Sequence, residues 1–438
     1  MAEHDPSQLE QIRALHAAGR SAEALHACRE LLGAQPARAD ALAIAGTLAL
    51  KLGQHAEAEA DLRAAVALEP GNLEALFNWG NALTRLGRRA EATQAFSRAL
   101  EVRPDFVPAL NNLGNALYET KELTAAVATF RRAVQLAPQA AHLHRNLGTA
   151  LREAGSREAA LECFRRARAL RPGWLKALQS LATTAMELGD WRSAADACAS
   201  WLEQSPANVE ALGLRSIALD ELGETAAASE LLSFEHLLRL TELSPPPGYA
   251  SLAAFNAELS AQTLAHPTLH TPSSDDPRYH CPTLRMTAEF CAGSSGASAA
   301  LARLVAQAID EYVAELAQRW PTHPFVVGAA RQFALKSWST VLDREGNLEP
   351  HVHYASYVSA VYYPQVPRDM DSARTGAGFL EFGGGPARFP CRVSREVRAV
   401  QPREGLLVLF PSYFYHRTAP FRAAQPRIAI AFDTTPVF

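Results

Sequence analysis

The chain has 438 residues and a formal net charge of -4, from 42 lysines and arginines against 46 aspartates and glutamates. That balance argues against a nucleic-acid-binding protein, which carries a basic excess on one face. With 48% apolar and 20% charged residues, wholesale disorder is excluded as well. At roughly 100–200 residues per domain, the length favours two to four units.

The opening segment, MAEHDPSQLEQIRALHAAGR, is polar where a signal peptide has a basic start and an apolar run. No stretch approaches the ~18 apolar residues of a membrane span, and the six cysteines are scattered without a CxxC pair. The expectation is a cytoplasmic protein in a reducing compartment, with neither nucleic acid nor membrane as partner.

Prolines recur at Pro36, Pro70, Pro104, Pro138, Pro172 and Pro206, each 34 residues after the last. Gly46, Gly80, Gly114 and Gly148 keep the same register, as do Ala58, Ala92, Ala126, Ala160, Ala194 and Ala228. A third series, Gly19, Gly53, Gly87, Gly155, Gly189 and Gly223, marks an inter-helix turn, with Lys121 as its one exception. LFNWGNALTRLGRRAEATQAFSRALEVRP and the segment after it resemble tetratricopeptide repeats: two close-packed helices ended by a proline. Phe96, Phe130 and Phe164 take the aromatic packing position. About six repeats span residues 3–206, and a degenerate cap runs to about Leu240, its glycine replaced by Ser216.

Such a solenoid presents a groove lined by the first helix of each hairpin. Asn78, Asn112 and Asn146 share one register position, and Asn81 and Asn115 follow three residues later on the same face. An amide both donates and accepts, so this ladder is expected to hold an extended peptide backbone; solvation of the groove is the plainer alternative.

The period stops near Leu240, and SPPPGYAS reads as a linker over residues 241–250. Residues 251–320 carry the helical patterns LAAFNAELSAQTLA and SAALARLVAQAIDEYVAELAQRW. From about Phe325 the period becomes two, in FALKSWSTVL, HYASYVSAVYYPQV, GFLEFG, REVRAVQP, LLVLFPS and RIAIAFD. The predicted architecture is multidomain α + β: an α-solenoid over 1–240, then a jelly-roll (double-stranded β-helix) domain with N-terminal helices over 251–438.

His351 and His353 have the i, i+2 spacing that shares one face of a strand. His416 is placed at the end of a later strand, and Arg427 opens the last one. Two or three imidazoles with open positions suit a first-row metal such as Fe(II), and a buried arginine suits a bidentate carboxylate. The pieces SWSTVL, HVHYASYVSAVYY, GFLEFGGGP, PREGLLVLFPSYFYHRTAPF and RIAIAFD resemble 2-oxoglutarate and Fe(II)-dependent oxygenases fused to tetratricopeptide repeats. Their order is distantly similar to that of prolyl hydroxylases.

That resemblance implies His351 and His416 as metal ligands, Arg427 as the anchor of the distal carboxylate of 2-oxoglutarate, and Tyr363 as a further contact. The implied activity is O2-dependent hydroxylation of a side chain in a protein or peptide recruited by the repeats. The pattern departs at His353, where HxD or HxE is usual: His353 either ligates, giving a three-histidine site, or stands aside. Two alternatives therefore stay open, a non-catalytic scaffold and a three-histidine dioxygenase that does not use 2-oxoglutarate. Glu349 is a poor substitute ligand because Pro350 intervenes. Trp338, Tyr413, Phe414 and Tyr415 read as barrel packing, His266, His270, His280 and His323 as surface or loop residues. Gly383, Gly384 and Gly385 lack the following helix of a phosphate loop.

Overall fold

The computed structural model describes residues 6–273, 281, 283–293, 295–327, 332–343, 345–370, 376–383, 385, 388–392 and 397–437. His280 and Gly384 lie outside them. The chain divides into two compact units, Met1–Ser180 and Leu181–Phe438.

The first unit is built of helical hairpins: α1 (Pro6–Ala17) with α2 (Ser21–Ala34), α3 (Ala39–Lys51) with α4 (His55–Leu68), and α5 (Leu73–Arg85) with α6 (Arg89–Val102). Then come α7 (Val107–Glu119) with α8 (Leu123–Leu136) and α9 (Ala141–Glu153) with α10 (Arg157–Leu170). The repeat register explains the packing directly. A Cβ at Gly80 would sit 2.5 Å from the Phe96 ring, so only glycine lets α5 and α6 approach this closely. Gly114 with Phe130 and Gly148 with Phe164 repeat the arrangement at 2.6 and 2.7 Å. Lys121, the exception in the turn series, adopts the same left-handed conformation as the glycines, at φ 65°.

The second unit begins within α11 (Leu175–Leu188) and contains α12 (Trp191–Gln204), α13 (Val209–Glu221), the shortened α14 (Thr225–Leu231) and α15 (Phe234–Leu237). The sequence places the domain boundary after residue 240, but β1 (Arg239–Glu242) is already a strand of the sheet that follows. The last hairpins thus share a compact unit with the sheets, because aromatic contacts outweigh the change of periodicity. Tyr413 donates to Leu231 O at 2.6 Å, and the rings of Phe234 and Phe414 meet edge-on at 5.1 Å.

The remaining elements are α16 (Leu252–Leu264), β2 (Leu284–Met286), α17 (Gly296–Arg319), α18 (Pro324–Val327), β3 (Phe333–Leu342), β4 (Glu345–His351) and β5 (Val358–Gln365). They are followed by β6 (Leu380–Phe382), β7 (Arg398–Val400), β8 (Leu406–Pro411), β9 (His416–Arg422) and β10 (Arg427–Pro436). All pairings are antiparallel, in one sheet of order β1-β8-β5-β10-β3-β2 and another of order β4-β9-β6-β7. One face of the larger sheet is closed by helices: Phe255 of α16 packs on Tyr362, whose hydroxyl donates to Asn256 Oδ1 at 2.6 Å.

β4 and β9 escape the period-two reading because EGNLEPH and HRTAPFR carry too few apolar residues to show alternation, and each also contains a proline. Pro350 is tolerated on an edge strand. Pro420 falls where the β4–β9 register shifts between Gly346 and Leu348. His323, expected at the surface, is instead buried, with Nε2 2.9 Å from Glu230 O.

Candidate metal centre

Both sheets contribute to a narrow cavity of about 50 Å³, lined on one side by Trp338, Val361, Tyr363, Arg427, Ala429 and Ala431. Leu348, His351, Leu380, His416 and Thr418 line it on the other. Strand alternation sorts RIAIAFD cleanly. Arg427, Ala429 and Ala431 face the cavity, while Ile428, Ile430 and Phe432 are fully buried on the opposite face. Two alanines between charged ends keep the floor of the cavity low.

His351 and His416 are partners in the β4–β9 ladder, with ring centroids 4.4 Å apart. His353 lies just past the end of β4 rather than on it, held by its N–H donating to Ser412 O at 3.1 Å. Its ring is 5.2 Å from that of His351 and 5.1 Å from that of His416. His416 opens β9 instead of ending a strand. One candidate ligand atom from each of the three lies within 4.8 Å of the others.

Their outer nitrogens share a pattern. His351 Nδ1 is 2.7 Å from Glu349 O, and His416 Nδ1 is 2.9 Å from Phe414 O. His353 Nδ1 is 2.9 Å from both carboxylate oxygens of Asp433. Carbonyl and carboxylate oxygens accept, so each Nδ1 carries the proton and Nε2 is the nitrogen each ring can offer a cation. Burial holds the His416 imidazole well below its ordinary pKa, and the neighbouring His351 and His353 push it the same way. Neutral imidazole is the ligating form. This donor set fits a first-row metal.

Arg427 is 2% exposed, and among the described residues no carboxylate pairs with it. Its guanidinium lies 5.0 Å over the Tyr363 ring, and among the described residues neither Arg427 Nε nor the Tyr363 hydroxyl has a partner within hydrogen-bonding geometry. Burial lowers the guanidinium pKa, opposed by the nearby Tyr363 phenol, whose own pKa burial raises. An unpaired buried cation costs several kcal/mol, a cost that an anion bound beside it would offset. A dicarboxylate co-substrate fits this demand.

Four other residues refine the sequence expectations. Trp338, expected as packing, lines the cavity and lies 5.5 Å from His353. Glu349 turns its side chain to Asn347 and reaches the cluster only through its carbonyl. Asp433 and Ser359, which donates to Asp433 at 2.7 Å, escape the sequence reading. Asp433 shares the strand parity of Arg427, the one signal that could have found it.

In the first unit, Asn78, Asn81, Asn112 and Asn115 line a groove of about 570 Å³ together with Lys51 and Arg85. The asparagines bond one another. Asn146 donates to Asn111 (2.9 Å), Asn111 to Asn112 (3.0 Å), Asn112 to Asn81 (2.7 Å) and Asn81 to Asn78 (3.4 Å). Asn78 donates in turn to Thr47 at 3.0 Å. Each linked amide retains further donor and acceptor capacity for a ligand.

Fold and site define a repeat solenoid joined to a two-sheet domain with a clustered histidine site. Residues 9–72, 77–141 and 180–233 match the family model of the tetratricopeptide repeat, and residues 336–433 match the one described as "Putative 2OG-Fe(II) oxygenase". The chain is a fusion of tetratricopeptide repeats to a domain of that oxygenase family. Among solved structures it is similar to MamA 41-end from Desulfovibrio magneticus RS-1 (26% identity, 38% of this chain and 94% of that one, TM-score 0.37). It is also similar to YrrB, described as a tetratricopeptide repeat protein with an unusual peptide-binding site (20%, 39% and 89%, 0.36). A third is Pseudomonas aeruginosa pilF (20%, 45% and 90%, 0.38). A search of the curated proteins finds no match.

Proposed function

We propose that the two-sheet domain is an Fe(II)- and 2-oxoglutarate-dependent dioxygenase that uses O2 to hydroxylate a side chain of a protein or peptide held by the repeats. The observation that carries this reading is the buried Arg427, without an acid beside it among the described residues and set in the same cavity as three imidazoles. A three-histidine enzyme whose substrate carries no anionic group would have no need of that cation.

In this reading His351, His353 and His416 hold the iron, which supplies oxidation of a C–H bond coupled to decarboxylation of the co-substrate. Arg427 pairs with the distal carboxylate, and the Tyr363 hydroxyl donates to it. Ala429 and Ala431 leave the space between, while Trp338, Leu348 and Phe410 keep water out. The asparagine ladder of Asn78, Asn81, Asn112, Asn115 and Asn146 holds the peptide backbone, raising substrate concentration near the enzyme domain. The scattered cysteines suit the reducing cytoplasm.

Succinate formation from 2-oxoglutarate and Fe(II) tests the proposal, with metal content and 2-oxoglutarate binding measured alongside. The wild-type chain is expected to bind both and form succinate, and His351→Ala and Arg427→Ala to abolish turnover. Metal retention with 2-oxoglutarate binding indifferent to Arg427→Ala would overturn the co-substrate assignment.

A further inference from the structure

The usual facial pattern places a carboxylate on the metal, and here that position is His353. A carboxylate is nevertheless present, one hydrogen bond further out. Asp433 stands 2.9 Å from His353 Nδ1 through both oxygens, and the pair is only 13% and 17% exposed at the side chains. Asp433 is itself held from behind: Ser359 is its direct partner in the β5–β10 ladder and donates to Oδ1 at 2.7 Å. The carboxylate therefore cannot swing away without losing a strand-registered bond.

We propose that Asp433 is a positioning residue of the metal centre, fixing the His353 ring with Nε2 toward the cluster and restoring by hydrogen bond the negative charge that the HxH sequence removes. The inference rests on the three-histidine reading of the site. His351 and His416 are oriented by neutral backbone carbonyls, whereas His353, the departure from the pattern, is oriented by a carboxylate. Imidazole bonded to a carboxylate is a more basic ligand than imidazole bonded to a carbonyl, and such outer partners are typically worth about 10–100-fold in metal affinity. Because β10 carries Arg427 at one end and Asp433 toward the other, one strand serves both co-substrate and metal.

The test is Co(II) titration of the full-length chain, read by affinity and by the visible absorption of the bound ion. The melting midpoint of the metal-free protein serves as folding control. Asp433→Asn is expected to bind Co(II) about 10–100-fold more weakly than wild type and to shift the absorption bands. His353→Ala weakens binding as well, and the double variant is no weaker than His353→Ala alone, since Asp433 acts only through that ring. Ser359→Ala gives a smaller loss in the same direction and stands in if Asp433→Asn does not fold. Wild-type affinity in Asp433→Asn, or additive losses in the double variant, overturns the proposal. Wild-type affinity in His353→Ala overturns the three-histidine reading itself, so the two failures are told apart.

Discussion

The asparagine groove of the first compact unit and the histidine cavity of the second treat polarity in opposite ways. In the first, half-buried asparagines bond one another in a chain from Asn146 to Asn78, and each keeps further bonding capacity. In the second, Arg427 Nε and the Tyr363 hydroxyl are buried and, among the described residues, without a hydrogen-bond partner. Fully satisfied networks rigidify a structure, while unsatisfied groups cost it stability. The contrast is between amides that bond one another and a buried cation that only an anion would satisfy.

Four substitutions break or sharpen this contrast. The largest effect is expected from His416→Ala, which removes the most buried of the three imidazoles. Its affinity for Fe(II) or Co(II) should fall by more than the ~100-fold that outer-shell changes reach, as calorimetric titration would show. Arg427→Met comes next and reverses the usual direction. Relieving an unpaired buried charge should stabilise the ligand-free protein by about 1–3 kcal/mol in denaturant unfolding. The same variant should lose the rise in melting temperature that 2-oxoglutarate produces in wild type.

Asn112→Ala acts the other way. Asn81 loses its donor and Asn111 its acceptor, so a loss of about 1–2 kcal/mol is expected on unfolding. If Asn112→Ala stabilises and Arg427→Met destabilises, the contrast fails. The smallest effect belongs to Lys121→Gly, which relieves a left-handed backbone at a turn that is otherwise glycine. The melting midpoint should rise by about 1–3 °C, reduced by loss of the exposed Lys121–Glu153 pair.

Legibility followed the range of the interactions. The solenoid was readable almost residue by residue, since its contacts repeat between neighbouring hairpins and leave a 34-residue signature, down to Gly80 under Phe96. In the sheets, strands rich in apolar residues were readable, while β4 and β9 were hidden by their largely polar sequences, EGNLEPH and HRTAPFR. Of the site, the histidines and Arg427 stood out by type and spacing. Asp433 did not, because it is 80 residues from His353 and meets it only through the pairing of β10 with β5.

By itself, then, the sequence determined the repeat architecture, the two kinds of structure and the residue types at the site. Those follow from local periodicity and from side-chain chemistry. Only the tertiary structure decided that the last hairpins share a compact unit with the sheets, that Arg427 has no acid beside it among the described residues, and that a carboxylate backs His353. Each depends on which distant strands lie side by side, a matter settled by packing and register rather than by any one segment.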